Sequence, residues 1–87
     1  MNVSFTGRGF AEFLEWVHTD TKKVDKINTL IQSITRDGVL KGIGKPEKLK
    51  WRDGYSREID KFNRLVYKTD ERKNLEIISC KGHYDDR

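Results

Sequence analysis

The spacing of apolar residues changes along the chain, and each change marks an element. Val3 and Phe5 alternate with polar neighbours, which predicts a short first strand. Phe10, Phe13, Leu14 and Val17 then follow the i, i+3, i+4, i+7 spacing of one helix face. This predicts an amphipathic helix over residues 7–18, with Trp16 at the margin of that face. Thr21 can cap a second helix whose stripe is Val24, Ile27, Leu30, Ile31 and Ile34, with Asp37 and Gly38 as the stop. Lys22, Lys23 and Lys26 fall on the outer side of this helical hairpin, as a solvated face would.

From Gly38 the texture changes. Gly42 and Gly44 give a flexible loop, and Pro46 predicts an extended Lys45 just before Glu47, where the loop becomes a strand. Asp53 and Gly54 mark a hairpin turn. Residues 55–59, 64–68 and 75–80 then read as three strands whose short connections favour antiparallel neighbours. Within residues 64–68 the alternation puts Leu65 and Tyr67 on one face and Arg64, Val66 and Lys68 on the other. If Leu65 and Tyr67 face the helices, Arg64 faces the open side of the sheet. The expected fold class is α+β: a two-helix hairpin packed on a small, mainly antiparallel sheet of four to five strands.

Composition narrows this picture. Eighty-seven residues suffice for one domain, expected to span 1–87. The lone Cys80 cannot make an internal disulfide and reads as a buried strand residue, and His18 and His83 are too far apart for zinc spacing, so no metal site is expected. No apolar run is long enough for a membrane span, and the first residues lack the pattern of a secretory signal, so a cytoplasmic location is expected. Charge is uneven: residues 37–68 carry nine basic and five acidic groups, an excess of +4 that equals the net charge of the chain. Such a cationic stretch gives a polyanion something to bind.

Cutting RNA without a metal requires a base for the 2′-hydroxyl, cations for the phosphorane charge, an acid for the leaving 5′-oxygen, and contacts that align the attack. The second half of the chain offers candidates for each. Glu47 is the nearest carboxylate to the junction of loop and strand, Arg64 is a guanidinium fixed on a strand, histidine is the side chain suited to proton transfer near neutrality, here His83, and Tyr84 adds a hydroxyl and a stacking face. Taken singly, each has a more ordinary role: an exposed loop glutamate, a surface arginine, a solvated terminal histidine, a packing tyrosine. Lys45, Lys48, Lys50, Arg52 and Arg57 crowd the same segment, where Trp51 and Tyr55 read as partly buried hairpin aromatics, with base stacking as the alternative.

Read together, these residues resemble the YoeB/Txe family of toxins from bacterial toxin–antitoxin systems. The resemblance spans nearly the whole chain and is carried by residues 42–50 (GIGKPEKLK), 54–59 (GYSREI), 64–67 (RLVY) and by Cys80, His83 and Tyr84. It implies a RelE/YoeB, microbial ribonuclease-like fold and an endoribonuclease (mRNA interferase) that cuts messenger RNA on the ribosome, needs no cofactor, and is silenced by a cognate YefM/Axe-like antitoxin. It also suggests a homodimer. Carried over by position, Glu47 matches the general base, Arg64 the phosphate-stabilising arginine, His83 the general acid, and Tyr84 a terminal tyrosine that orients substrate. Lys50 and Arg57 match basic positions lining the groove, and with Lys45 they form the expected RNA-binding set.

The sequence departs from the family pattern at three places. Glu58 stands where an arginine is usual, reversing the charge unless it faces away or pairs with a neighbour such as Arg57 or Lys68. Asn63 replaces the usual histidine before RLVY, keeping a donor and an acceptor. Asp85, Asp86 and Arg87 extend the chain past its His83–Tyr84 pair. Two other readings therefore stand beside the nuclease: a non-enzymatic RNA- or ribosome-binding module, and a ParE-like toxin acting on gyrase, against which the Glu, Arg, His set argues.

Overall fold

Thr6 turns its hydroxyl back to accept a hydrogen bond from the Gly9 amide, closing strand β1 (Val3–Phe5) and starting helix α1 (Gly7–Thr19). The computed structural model describes residues 1–83; Tyr84 and the 85–87 extension lie outside the described residues. Asp20 ends α1 and caps helix α2 (Thr21–Asp37), its carboxylate accepting from the Lys22 amide, so the cap lies one residue before the expected Thr21. Gly38, at φ +105°, stops the helix as expected. Strands β2 (Glu47–Lys48), β3 (Tyr55–Asp60), β4 (Asn63–Thr69) and β5 (Leu75–Ser79) follow.

The strand order is β1-β5-β4-β3-β2. Three neighbouring pairs are antiparallel, as short connections dictate, while β1 pairs with β5 in parallel. The two helices carry the chain from β1 at one edge of the sheet to β2 at the other, and the antiparallel strands β2 to β5 then bring it back beside β1. The architecture is the expected two-helix hairpin on a mainly antiparallel sheet, here of five strands. No helix among the described residues is long and apolar enough to cross a membrane.

The α2 stripe packs as its spacing predicts: Ile27, Leu30 and Ile34 are buried against Leu65, Tyr67, Leu75 and Ile77, with Val24 and Ile31 at the rim. The α1 face is rotated from expectation. Phe10, Leu14 and Val17 are 52%, 39% and 40% exposed, while Gly9 and Trp16 are buried and Phe13 is half-buried. Two contacts choose this phase. At Gly9 a Cβ would lie 2.6 Å from the Ile77 carbonyl oxygen, so α1 approaches β5 more closely than any side chain permits. Trp16 Nε1 donates to the Cys80 carbonyl at 2.8 Å, satisfying its indole inside the core. Cys80 itself is buried, as expected.

Candidate active site

Arg64 and Val66 lie on the face of β4 away from the helices, where Val66 joins Leu49 and Ile78 in a small apolar floor. The Arg64 guanidinium is held on three sides: Nε donates to Ser56 Oγ at 3.0 Å, Nη2 donates to the Lys45 carbonyl at 3.2 Å, and Nη2 lies 3.0 Å from Glu47 Oε1. Its side chain is only 10% exposed, whereas Glu47 is 51% exposed. A cation so anchored sits in reduced dielectric and keeps one orientation. The carboxylate beside it remains open to solvent.

The Lys45–Glu47 turn does not take the expected backbone. Lys45 has φ +51°, in the left-handed region, although it precedes Pro46. Hydrogen bonds from outside the turn impose this geometry: the Lys45 carbonyl accepts from Arg64, and the Gly44 carbonyl accepts from the Glu58 amide at 2.6 Å. A strained residue of this sort costs on the order of 1–3 kcal/mol and persists where its surroundings over-determine it. Here the same contacts that impose it also place Glu47 against Arg64.

His83 is linked to Arg64 through the backbone of the residue before it. The Arg64 amide donates to the Gly82 carbonyl at 2.9 Å, and the Gly82 amide donates to Asn63 Oδ1 at 2.8 Å. The residue before His83 is thus tied at both peptide groups to the start of β4. His83 Nε2 lies 3.1 Å from the Lys61 carbonyl oxygen. Asn63 is held in turn by Asp60, whose carboxylate accepts from its amide at 2.9 and 3.1 Å and from the Phe62 amide at 2.8 Å. Lys23 of α2 completes the chain, 2.8 Å from Asp60, so it is no free solvated lysine. Burial pushes the Asp60 carboxyl up, but Lys23 and the Phe62 and Asn63 donors outweigh it and hold the group below the usual carboxylate value. On the far side, Glu12 accepts from the Cys80 amide and Glu15 pairs with Lys81, so α1 and the β3–β4 turn both grip the strand's exit toward His83.

Asp60 and Asn63 hold the backbone before His83, a role that sequence reasoning did not single out for them. The available signal was the turn itself, in which an aspartate two residues before a backbone amide makes a local Asx turn. In the sequence Asn63 stands out only as a departure from the family pattern. Ser56 was also missed, although it shares the alternation that places Glu58 and Arg64 on the open face.

One expected RNA-binding residue is corrected by its burial. Arg57 is fully buried on the helix side of β3 and does not line the groove. Nε donates to the Tyr67 hydroxyl, Nη1 to Ser33 Oγ and the Ile43 carbonyl, and Nη2 to the Gly38 and Lys41 carbonyls. It gathers the end of α2 and the loop after it, and Tyr67 donates onward to the Val39 carbonyl. The alternation of β3 carries the reason: Tyr55, Arg57 and Ile59 point to the core, while Ser56 and Glu58 point to the open face.

The other departures also acquire positions. Glu58 lies across from Arg64 in the β3–β4 register, and it pairs with Lys45 at 3.5 Å rather than with Arg57 or Lys68. Lys45 and Lys50 are exposed. Tyr84 and residues 85–87 lie outside the described residues.

Comparison with known proteins follows the same outline. Residues 5–84 match a family model described as YoeB-like toxin of bacterial type II toxin-antitoxin system. Toxin YoeB of Streptomyces coelicolor is 45% identical over 87 residues, covering 97% of this chain and all of that protein. The solved YoeB dimer from Staphylococcus aureus superposes with a TM-score of 0.89 at 45% identity, covering 97% of this chain and 98% of that one. The heterotetrameric YoeB–YefM toxin–antitoxin complex from the same organism gives 0.88, also at 45% identity and with the same coverage. The chain belongs to the YoeB-like toxin family of bacterial type II toxin–antitoxin systems.

Proposed function

We propose that the chain is a ribosome-dependent endoribonuclease that cuts messenger RNA by metal-independent acid–base chemistry. The observation that carries this reading is the Glu47–Arg64 pair: a solvent-facing carboxylate 3.0 Å from an anchored, nearly buried guanidinium on the open face of the sheet. Glu47 takes the proton of the 2′-hydroxyl, and the 2′-oxygen attacks phosphorus. Arg64 stabilises the charge on the equatorial oxygens. His83, whose preceding residue is bonded to the Arg64 backbone, protonates the departing 5′-oxygen, leaving a 2′,3′-cyclic phosphate. Tyr84 orients the substrate, and Lys45 and Lys50 attract its phosphates. Arg57 takes no part in binding RNA.

The partners in this reading are messenger RNA on the ribosome, a YefM/Axe-like antitoxin and a second copy of the chain, all in the cytoplasm. The solved relatives in a YoeB–YefM heterotetramer and as a dimer support the last two. Primer extension on a translated message, with Arg64→Ala and His83→Gln as controls, tests the activity. Site-specific cleavage that both variants abolish is the expected result. Intact ribosome binding without cleavage by the wild-type chain sinks the reading, and a chemical step that requires magnesium sinks its metal-free form.

A further inference from the structure

The hairpin between β2 and β3 carries a feature that the acid–base chemistry does not use. Trp51 is 90% exposed, more than any other large apolar side chain among the described residues; the next, Phe62, is 70% exposed. No described residue makes a hydrogen bond or ring contact with its indole. It is also the only one of these exposed side chains flanked on both sides by cations, Lys50 and Arg52. Tyr55, across the same hairpin, behaves as a partly buried aromatic should: its ring packs 5.8 Å from that of Tyr67, and Lys48 lies over it. Trp51 does not, so the stacking alternative considered for both aromatics applies to Trp51 alone.

Its place on the chain ties it to the Glu47–Arg64 pair. Glu47 pairs with Ser56, Lys48 with Tyr55, and the Leu49 amide donates to the Gly54 carbonyl, so the tip of the hairpin is residues 50–53. Trp51 follows Glu47 by four residues, which limits their Cα separation to about 14 Å even for extended chain. Residues 45–53 hold four cations, Lys45, Lys48, Lys50 and Arg52, against the two acids Glu47 and Asp53. A wholly exposed indole within a net cationic stretch suits a ligand that is both planar and polyanionic. Single-stranded RNA has both properties, and base stacking on an aromatic tolerates any base because each has a π-face.

We propose that Trp51 is a stacking platform for an unpaired base of the bound RNA, next to the nucleotide presented to Glu47. The proposal rests on the nuclease reading of the Glu47–Arg64 site, and it assigns to Trp51 substrate affinity rather than proton transfer. The test uses the full chain and a short single-stranded RNA bearing 2′-O-methyl groups, which lacks the attacking hydroxyl. Wild type contains Trp51 and the buried Trp16, so subtracting the Trp51→Phe titration isolates the Trp51 signal. Saturating RNA is expected to quench that signal. Trp51→Ala is expected to bind the RNA about tenfold more weakly, with an unchanged salt slope because no phosphate contact is lost, and Trp51→Phe is expected to recover most of the affinity. On a translated message, Trp51→Ala should raise KM about as much while kcat holds. Unchanged RNA affinity in Trp51→Ala overturns the proposal, as does a loss confined to self-association or to antitoxin binding. Quenching of Trp51 by RNA in a wild-type chain that cuts nothing sinks the nuclease reading and leaves the stacking site standing.

Discussion

Glu47 Oε1 lies 3.0 Å from Arg64 Nη2, and the two side chains differ in freedom: Arg64 is anchored by Ser56 and the Lys45 carbonyl, and Glu47 is half exposed. The base of the proposed reaction therefore faces solvent beside an anchored, nearly buried cation. Glu47→Gln keeps the shape and the contact with Arg64 but removes the proton acceptor. Single-turnover cleavage is expected to fall by about 10²-fold or more, while the folding free energy changes by about 1 kcal/mol or less, because an ion pair with one exposed partner contributes little. A rate within a few-fold of wild type would remove Glu47 from the role of base.

Arg57 is expected to matter for stability and not for affinity. Arg57→Gln removes most of the donors to the Gly38, Lys41 and Ile43 carbonyls, Ser33 and Tyr67, which should cost about 3 kcal/mol in urea unfolding at roughly 1 kcal/mol per lost bond. That is a large part of the roughly 5–15 kcal/mol typical of a domain. Arg57→Lys, which keeps the charge but cannot spread five donors, should recover only part of it. For whatever fraction stays folded, the salt dependence of RNA binding should match wild type, whereas a slope reduced by one phosphate would return Arg57 to the groove.

Glu58 opposes the approach of a polyanion and occupies Lys45. Glu58→Gln should free that lysine, tighten the binding of single-stranded RNA, and steepen its dependence on salt by about 0.7 in the log–log slope. Equal affinity and equal slope in the two chains would show that Lys45 lies outside the RNA path.

The Lys23–Asp60 pair predicts a dependence of stability on pH at both extremes. The folded value for Asp60 lies below its ordinary 3.8, so its contribution is complete above that pH and is lost as pH falls through the folded value. The Asp60 hydrogen bond raises Lys23 above 10.5, so that contribution is complete below 10.5 and is lost as pH rises through the raised value. Asp60→Asn should therefore melt lower than wild type at neutral pH, and the gap should close in strong acid and narrow in strong base, where Lys23 is neutral but the Phe62 and Asn63 donors remain. It should also lower kcat, because Asn63 and Gly82 lose the support that holds His83. A constant melting gap across pH would assign the effect of the substitution to packing alone.

Local pattern decided much of this molecule. The α2 stripe is legible because its apolar residues occupy a single helical phase, and Arg64 could be placed on the open face because a strand's side chains alternate with period two once Leu65 and Tyr67 are assigned to the core. The same alternation, applied to β3, would have turned Arg57 inward. Family position put it at the groove instead, since a fully buried arginine is rare and only a ring of carbonyls and hydroxyls from distant elements makes one tolerable. The phase of α1 was beyond local pattern, because Phe10–Leu14–Val17 and Gly9–Phe13–Trp16 are equally helical spacings one residue apart. The contact of Gly9 with the β5 backbone chose between them. Likewise the parallel seat of β1 beside β5, the left-handed Lys45 before Pro46, and the Asn63–Gly82 bonds that hold the approach to His83 all depend on residues far apart in the chain. The sequence by itself determined which residues are apolar, in what period, and which chemical groups the chain can offer. The tertiary structure decided which face of each element meets which, because that choice is made by close approach and hydrogen bonding between segments whose separation no local pattern encodes.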